Sequence, residues 1–496
     1  MTRWIALVSA SVLLVCAGLA QEPATTARKT QTRTQSFDSD PKWDARNNRI
    51  RPLNPPLINQ NFGYDPARKA IGGEFWSSIR PAWYGKPLGS KSMDDALSAS
   101  GSIQVIESAS GTGWQNSSNV FVGWFEADEK SLIWRPRNFI GFRLQSTHDP
   151  DGAFVEISYG TSQWQAGGTF VNKLGGDQEK LVRELKDEDL LRIPPDGSRH
   201  EWSLRYDPSG GDGAGEIIFT FDGKESRLRI ARHLRKIGAK FTHFGVFPPR
   251  IPGRRIIAYF DDLIIDGQHF DFATDPKWEG SGNRRRYRDP DQYAYNQFGY
   301  SANTSFAGGR PGELGGRFMS CDPGEEQFKA YYGDRIGSLS LNDRLVASGK
   351  FASKEHCIDA TMAIGWFNSA EQGWPIRNFV GVYFDSLSDV GRIVQPLYGT
   401  SQGTRDRPGD YITFEPGGRV YEWTLEYDPA AADGRGAITF TLGDQKITTP
   451  LAAGAKAAGA VFNRFGVFNM QWANSKWCDV YFDDLTYTVG AASERE

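Results

Sequence analysis

The sequence predicts an all-β chain made of two tandem antiparallel β-sandwich domains. Three observations carry that prediction. Tyr259-Phe-Asp-Asp-Leu263 recurs letter for letter as Tyr481-Phe-Asp-Asp-Leu485, each time near the end of a long segment. In residues 201–206 Trp202, Leu204 and Tyr206 alternate with polar residues, the period-two pattern of a half-buried strand. Gly-rich turns follow that pattern in both halves, at 210–215 and 433–436, and each turn feeds a returning apolar run, which makes a hairpin.

The copies align along their length. Residues 37–43, ending Asp-Pro-Lys-Trp43, open unit one, and residues 270–278, ending Asp-Pro-Lys-Trp278, open unit two. Gly123-Trp-Phe125 returns at 365–367, Arg137-Asn-Phe139 at 377–379, Tyr159-Gly-Thr-Ser-Gln163 at 398–402 and Phe244-Gly-Val-Phe247 at 465–468. The offset between copies shrinks between Gln163 and Glu201, which puts an insertion in unit one. It is a charged stretch around 165–195, with Leu181, Leu185 and Leu190 near helical spacing, so a short surface helix is expected over 177–190. The expected boundaries are 37–267 for the first sandwich and 268–490 for the second, with a tail at 491–496.

The N-terminus reads as a secretory signal. Arg3 supplies the positive start, residues 4–15 are almost wholly apolar, and Gly18 and Ala20 are small, as a cleavage site requires. The run is short for a membrane span. The expectation is a secreted protein, extracellular or periplasmic, cleaved near Ala20. A flexible leader over 21–36, rich in Thr, Gln and Arg, comes next. A formal net charge of −3 over 496 residues gives no electrostatic case for nucleic acid, and no second apolar run approaches membrane length. Fifteen Trp and 55 Gly suit Gly-turned β structure and equally a sugar-binding surface. After the signal the cysteines are Cys321, Cys357 and Cys478. They allow at most one disulfide, within unit two, and their spacing is not of the zinc kind.

The strand and turn His200-Glu-Trp-Ser-Leu-Arg-Tyr-Asp-Pro208, the hairpin after it and the closing Tyr-Phe-Asp-Asp-Leu strand, with their unit-two counterparts, resemble the concanavalin-A-like lectin/glucanase superfamily, which includes laminin-G-like modules. The resemblance spans nearly all of the mature chain at superfamily level. It implies a jelly-roll sandwich, often sugar-binding or glycan-cleaving and frequently holding structural calcium, with no organic cofactor.

The candidate ligand-binding residues are Trp124, Arg137, Asn138, Tyr159 and Gln163 and their copies Trp366, Arg377, Asn378, Tyr398 and Gln402. A Trp ring can stack on the apolar face of a sugar while Arg and Asn donate hydrogen bonds. The same Trp fills a core equally well, and the Gly of Tyr-Gly-Thr-Ser-Gln equally suits a turn of unusual φ. Calcium takes hard oxygen ligands. Asp38 and Asp262, and Asp271 and Asp484, are the candidates if first and last strands pair; capping turns is the other role open to them. Adjacent Asp residues on a strand point to opposite faces, which argues against a catalytic pair. The Glu-x-Asp-x-x-Glu strand of the superfamily's glucanases and the Gln-x-His segment of lyases with a similar fold are both missing. A catalytic site in unit one remains open if Glu126, Glu156 and Glu201 converge. A Ser-His-Asp set is not indicated, because His200 and His243 are replaced by Tyr421 and Arg464 in unit two. The expected function is binding or processing of extracellular polysaccharide or another glycan, with binding ahead of catalysis. The alternatives are a glycoside hydrolase or polysaccharide lyase acting in the first domain, and a protein-adhesion module.

Overall fold

The computed structural model describes residues 30–491 apart from 51–52, 109–117, 147–151, 170–190, 294, 321–328, 373–374, 404–408 and 471–475. The expected signal, the leader up to residue 29, the helix expected over 177–190, Cys321 and the last five residues lie outside the described residues. Within them, no helix is long and apolar enough to cross a membrane.

Four antiparallel sheets pair face to face, which is the all-β tandem sandwich arrangement the alternation predicts. In the first sandwich one sheet is centred on His200–Asp207, Leu97–Ser108 and Arg255–Ile265. The facing sheet is centred on Phe139–Ser146, Asn119–Phe125 and Lys240–Phe247. Trp202, Leu204 and Tyr206 from one sheet meet Val122, Trp124 and Phe142 from the other in a single buried core. The second sandwich repeats this. Val420–Asp428, Leu345–His356 and Trp477–Gly490 face Phe379–Leu387, Met362–Phe367 and Val461–Asn469, with Trp366, Trp423 and Phe482 in the core.

One feature departs from the repeat boundaries: the two openings are exchanged. Thr30–Gln35 runs antiparallel to Trp477–Gly490, from Thr30 opposite Gly490 to Gln35 opposite Leu485, and Asp44–Arg46 pairs with Tyr331–Ser340. Phe37 and Trp43 are buried in the second core, where Trp43 meets Tyr332 at 5.6 Å and Tyr487 at 6.0 Å. Correspondingly, Gln268–Phe270 pairs with Arg255–Ile265, and Glu279–Ser281 with Trp83–Ser92. Phe272 and Trp278 fill the first core. The first sandwich is thus closed by the segment that follows it, and the second by the N-terminal segment of the chain. Ion pairs fasten this N-terminal clasp. Arg33 binds Asp334, which also accepts the Tyr487 hydroxyl at 2.5 Å, and Asp44 binds Arg335 at 2.8 Å and Arg464. Residues 30–35, expected to be flexible, are therefore a strand. Thr at alternate positions suits an extended edge, and the closing strand offers unpaired main-chain groups that need a partner.

A second feature absorbs most of the repeated motifs. Gly85, Gly245, Gly123 and Gly141 stand opposite one another on four adjacent strands of the first sandwich. Gly333, Gly466, Gly365 and Gly381 do the same in the second. A Cβ on Gly123 would lie 2.2 Å from the Ile140 oxygen, and one on Gly141 would lie 2.5 Å from the Phe139 ring. The rows let strands approach closely and leave a trough that aromatic rings fill. Phe121, Phe125, Phe139 and Phe247 pack there in the first sandwich, and Phe367, Phe379 and Phe468 in the second.

The Asp-Asp pairs mark β-bulges. The register between Arg255–Ile265 and Leu97–Ser108 shifts between Asp261 and Ile264, and the second sandwich shifts likewise beside Asp483. Asp262 and Asp484 have φ of 49° and 51°, a region Asp tolerates better than most residues. Their N–H groups donate to the preceding carboxylates, Asp261 at 2.7 Å and Asp483 at 2.8 Å. Opposite each bulge sits the Gly of a repeated Ala-Ser-Gly. A Cβ on Gly101 would meet Leu263 at 2.4 Å, and one on Gly349 would meet Leu485 at 2.6 Å.

The clasp yields a prediction. Trp43→Ala removes a ring from the second core only, at a cost of about 3–5 kcal/mol. Hydrogen exchange should rise in Val461–Asn469 and stay unchanged in Lys240–Phe247.

Candidate ligand site between the sandwiches

The structure separates the expected ligand-binding residues into core and surface. Trp124 and Trp366 are both 0% exposed, so neither ring can stack on a sugar; this corrects the expectation. Each lies on a central strand buried on both faces, because its neighbours pack into the glycine trough. Asn138 and Asn378 are buried braces at positive φ. Asn138 donates to Glu126 and accepts the Lys240 N–H at 2.9 Å; Asn378 donates to Glu371 and accepts the Val461 N–H at 2.9 Å. Tyr159 and Tyr398 are also buried, and their hydroxyls accept N–H groups of Ala231 at 3.3 Å and Ala452 at 2.9 Å. The Gly between Tyr and Thr is required by close approach: a Cβ on Gly160 would sit 1.7 Å from the Pro136 oxygen, and one on Gly399 2.5 Å from the Ile376 oxygen. Arg377, Gln402 and Gln163 are exposed and Arg137 is half-buried. The repeated Tyr-Gly-Thr-Ser-Gln is thus mainly a clamp holding a strand end.

The carboxylates do not assemble a catalytic pair. Glu156 is buried between Arg135, at 3.1 Å, and Arg143, and these guanidinium groups hold it below the usual range against the cost of burial. Glu126 is engaged by Asn138 and Ser131. Glu201 is exposed on the other sheet and pairs with Arg199 at 2.9 Å. The three glutamates do not converge. The sequence reading also missed a local string in which Ser198 Oγ lies 2.9 Å from His200 Nε2 and His200 Nδ1 lies 2.6 Å from Asp222. Asp222 also accepts the Glu201 N–H at 2.9 Å, and the His200 ring stacks on Phe221. The string pins a hairpin on the exposed face.

The calcium expectation fares no better. First and last strands do pair, but across the repeats. Asp262 is taken by Arg199 at 2.6 Å and Asp484 by Lys350 at 2.7 Å. Asp38 accepts the Ser36 hydroxyl at 2.7 Å, and Asp271 the Ala273 N–H at 3.1 Å. Calcium needs six to eight converging oxygens. Among the described residues no group of three or more His, Cys, Asp or Glu is placed to hold a metal. The residues do not fit the ion.

What the surface does offer is a cleft of about 520 Å³ where the sandwiches meet. The first contributes Arg137 and 162–165, and the second contributes Arg392, Arg419, Tyr421 and the turn 443–445. Trp164, half-buried, stands in its wall. Arg137 and Arg392 each bring a guanidinium to its ring, 4.6 and 4.8 Å from the centroid, at cation–π distance. The ring is held by its neighbours. Gln165 Nε2 donates to the Val390 oxygen at 3.2 Å, and the Ala166 N–H to the Ser388 oxygen at 2.6 Å. A smaller cavity of about 210 Å³ also touches Trp164, with His356, Cys357 and Trp477 in its wall. Cys357 and Cys478 are buried free thiols, and burial pushes the Cys357 thiol up to about 11. Trp164 is where the copies differ, since Gly403 takes its place in unit two; that difference was the available signal for the site.

No protein-family model matches the chain, and no curated protein matches it. Among solved structures it is similar to the carbohydrate recognition domain of Emp47p, with 9% identity over 37% of this chain and 85% of that one, at a TM-score of 0.27. It is similar also to peanut lectin, with 13% identity over 38% and 96% at 0.22. A third is alginate lyase Aly36B, with 14% identity over 39% and 93% at 0.24. Likeness at this level carries no ligand or reaction to this chain.

Two outcomes follow from the carboxylates. Chelator should leave the melting curve unchanged. Burial, with Asp484 and Glu313 nearby, pushes the Asp483 carboxyl up to about 6. The folded protein therefore resists its ionisation, and stability falls as pH rises from the unfolded value, about 3.9, through that range. Asp483→Asn keeps the acceptor for the Asp484 N–H. Its melting temperature should exceed that of the parent above pH 6 and match it below about pH 4.

Proposed function

We propose that this is an exported glycan-binding protein whose ligand lies in the cleft between the sandwiches, with binding rather than catalysis as its activity. The observation that carries the reading is Trp164, the half-buried indole of a cleft whose other side chains are mostly amides, hydroxyls and guanidinium groups. An aromatic face receives the apolar face of a sugar ring. Gln163, Gln165 and Gln445 offer donors and acceptors together, which hydroxyl groups require. The cleft volume falls in the range of small-ligand sites, roughly 300–1,000 Å³. Binding stands ahead of catalysis because Glu126, Glu156 and Glu201 are held apart on separate partners. Export is supported by the apolar run at 4–15 and the small residues before Gln21.

Titration calorimetry against a polysaccharide panel tests it. A binder should emerge, with affinity falling about tenfold in Trp164→Ala while the melting temperature holds. Unchanged affinity in that variant would move the ligand elsewhere.

A further inference from the structure

The charges around Trp164 carry more than a generic sugar site. Arg392 is 1% exposed. Its Nε donates to the His356 oxygen at 2.8 Å, its Nη2 to the same oxygen, and its Nη1 to the Trp164 oxygen at 2.6 Å. Arg137 likewise donates to main-chain oxygens, from Nε to Ser162 at 3.2 Å and to Gln163 at 3.1 Å. Other buried or half-buried arginines are matched by acids: Arg317 by Asp479 at 3.0 Å, Arg255 by Glu107 at 2.7 Å, Arg33 by Asp334. Among the described residues Arg392 and Arg137 form no ion pair.

A buried charge without a partner is costly. Burial, with Arg137 adding repulsion, pushes the Arg392 guanidinium down to about 9, so it is still charged at neutral pH. Two like charges share one indole ring, and the acids that act on them, Glu126 and Asp128 on Arg137 and Asp359 on Arg392, do so without forming an ion pair. Arg419 adds a third guanidinium on the same cleft, 4.9 Å from the Tyr421 ring. The acids of the cleft, Glu415 and Asp444, are exposed, and Glu415 approaches Arg419 only to 3.9 Å. Guanidinium groups are suited to planar and oxyanionic groups, which they can grip with two hydrogen bonds.

We infer, resting on the glycan reading above, that the cleft selects an acidic sugar: Arg137 and Arg419, which line it, receive an anionic group, a carboxylate or a sulfate ester, on a saccharide lying against Trp164, while the buried Arg392 adds its positive charge from behind the ring. The ligand adds a direct counter-charge where the fold's own acids act only from a distance or at the exposed edge. A uronic-acid oligosaccharide and a sulfated one differ only in which oxyanion meets the arginines.

The test compares three oligosaccharides of equal length, one uronic-acid, one sulfated and one neutral glucan, on the full chain. At least one acidic probe should bind about tenfold more tightly than the neutral one. That margin should shrink at about 0.5 M salt, where screening is short-ranged. Arg419→Gln, an exposed position, should lower acidic-probe affinity several-fold and more than it lowers neutral-probe affinity. Arg137→Lys should likewise narrow the ratio of acidic-probe to neutral-probe affinity, since Lys keeps charge but loses the fork. These variants keep the test intact if Arg392→Gln fails to fold. Preference for only one acidic probe supports the inference and names its oxyanion. Equal, salt-independent binding of all three overturns acidic selection and leaves the glycan reading standing. Binding of none removes both. Inorganic sulfate competing as well as the sulfated saccharide overturns the sugar half of the assignment.

Discussion

The constraint on which both sandwiches depend is the row of four glycines across each Trp-bearing sheet. Gly85, Gly245, Gly123 and Gly141, with Gly466, Gly365 and Gly381 in the second sandwich, bring neighbouring strands closer than a Cβ permits. That approach opens a trough, and phenylalanine rings close it. With one face sealed by Phe, the other face of the same strands is free to send Trp124 and Trp366 into the core between sheets. Gly-Trp-Phe, Asn-Phe and Phe-Gly-Val-Phe are therefore one device seen at three places along the chain. The braces of Asn138 and Asn378 and the Tyr-Gly-Thr-Ser-Gln clamps hold the strand ends that the device requires.

This explains how much of the molecule was legible in its sequence. Period two and Gly-rich turns are local signals, and they predict the strands and the tandem sandwiches. Identity between copies is a signal of shared constraint, but it does not say which constraint. Trp124, Asn138 and Tyr159 recur because the fold needs them. Trp164, the aromatic ring of the cleft, has no equivalent in the other unit, while Arg137 and Gln163 beside it belong to the repeated motifs. The Asp-Asp pair illustrates the same limit. Strict alternation would send its side chains to opposite faces, whereas a bulge resets the alternation at that point. Exchange of the openings was hidden for a topological reason: a segment that follows unit one and precedes unit two aligns as a beginning although it packs as an end.

The junction between the sandwiches differs in character from either core. It is rich in aromatic rings faced by cations: Arg143 and Lys476 over Trp134, Arg317 and Arg250 over Trp477, Arg137 and Arg392 at Trp164. Such contacts bury charge against polarisable surface and fix side-chain directions more tightly than apolar packing alone. Hydrogen bonds to main-chain oxygens cross the junction, from the Arg392 guanidinium to Trp164, from the Gln165 amide to Val390 and from the Ala166 N–H to Ser388. The cleft takes its walls from both sandwiches.

The clasp has a temporal side. A ribosome makes Thr30–Gln35 long before its partner Trp477–Gly490. The strand pairing of the first sandwich is complete once residue 288 has been made. The second must wait for the end of the chain while its own closing piece, with Phe37 and Trp43, has existed from the beginning. During that interval two apolar anchors stand without their socket, and the socket is built around them rather than they around it. The pairing of Thr30–Gln35 with Trp477–Gly490 thus joins segments made far apart in time.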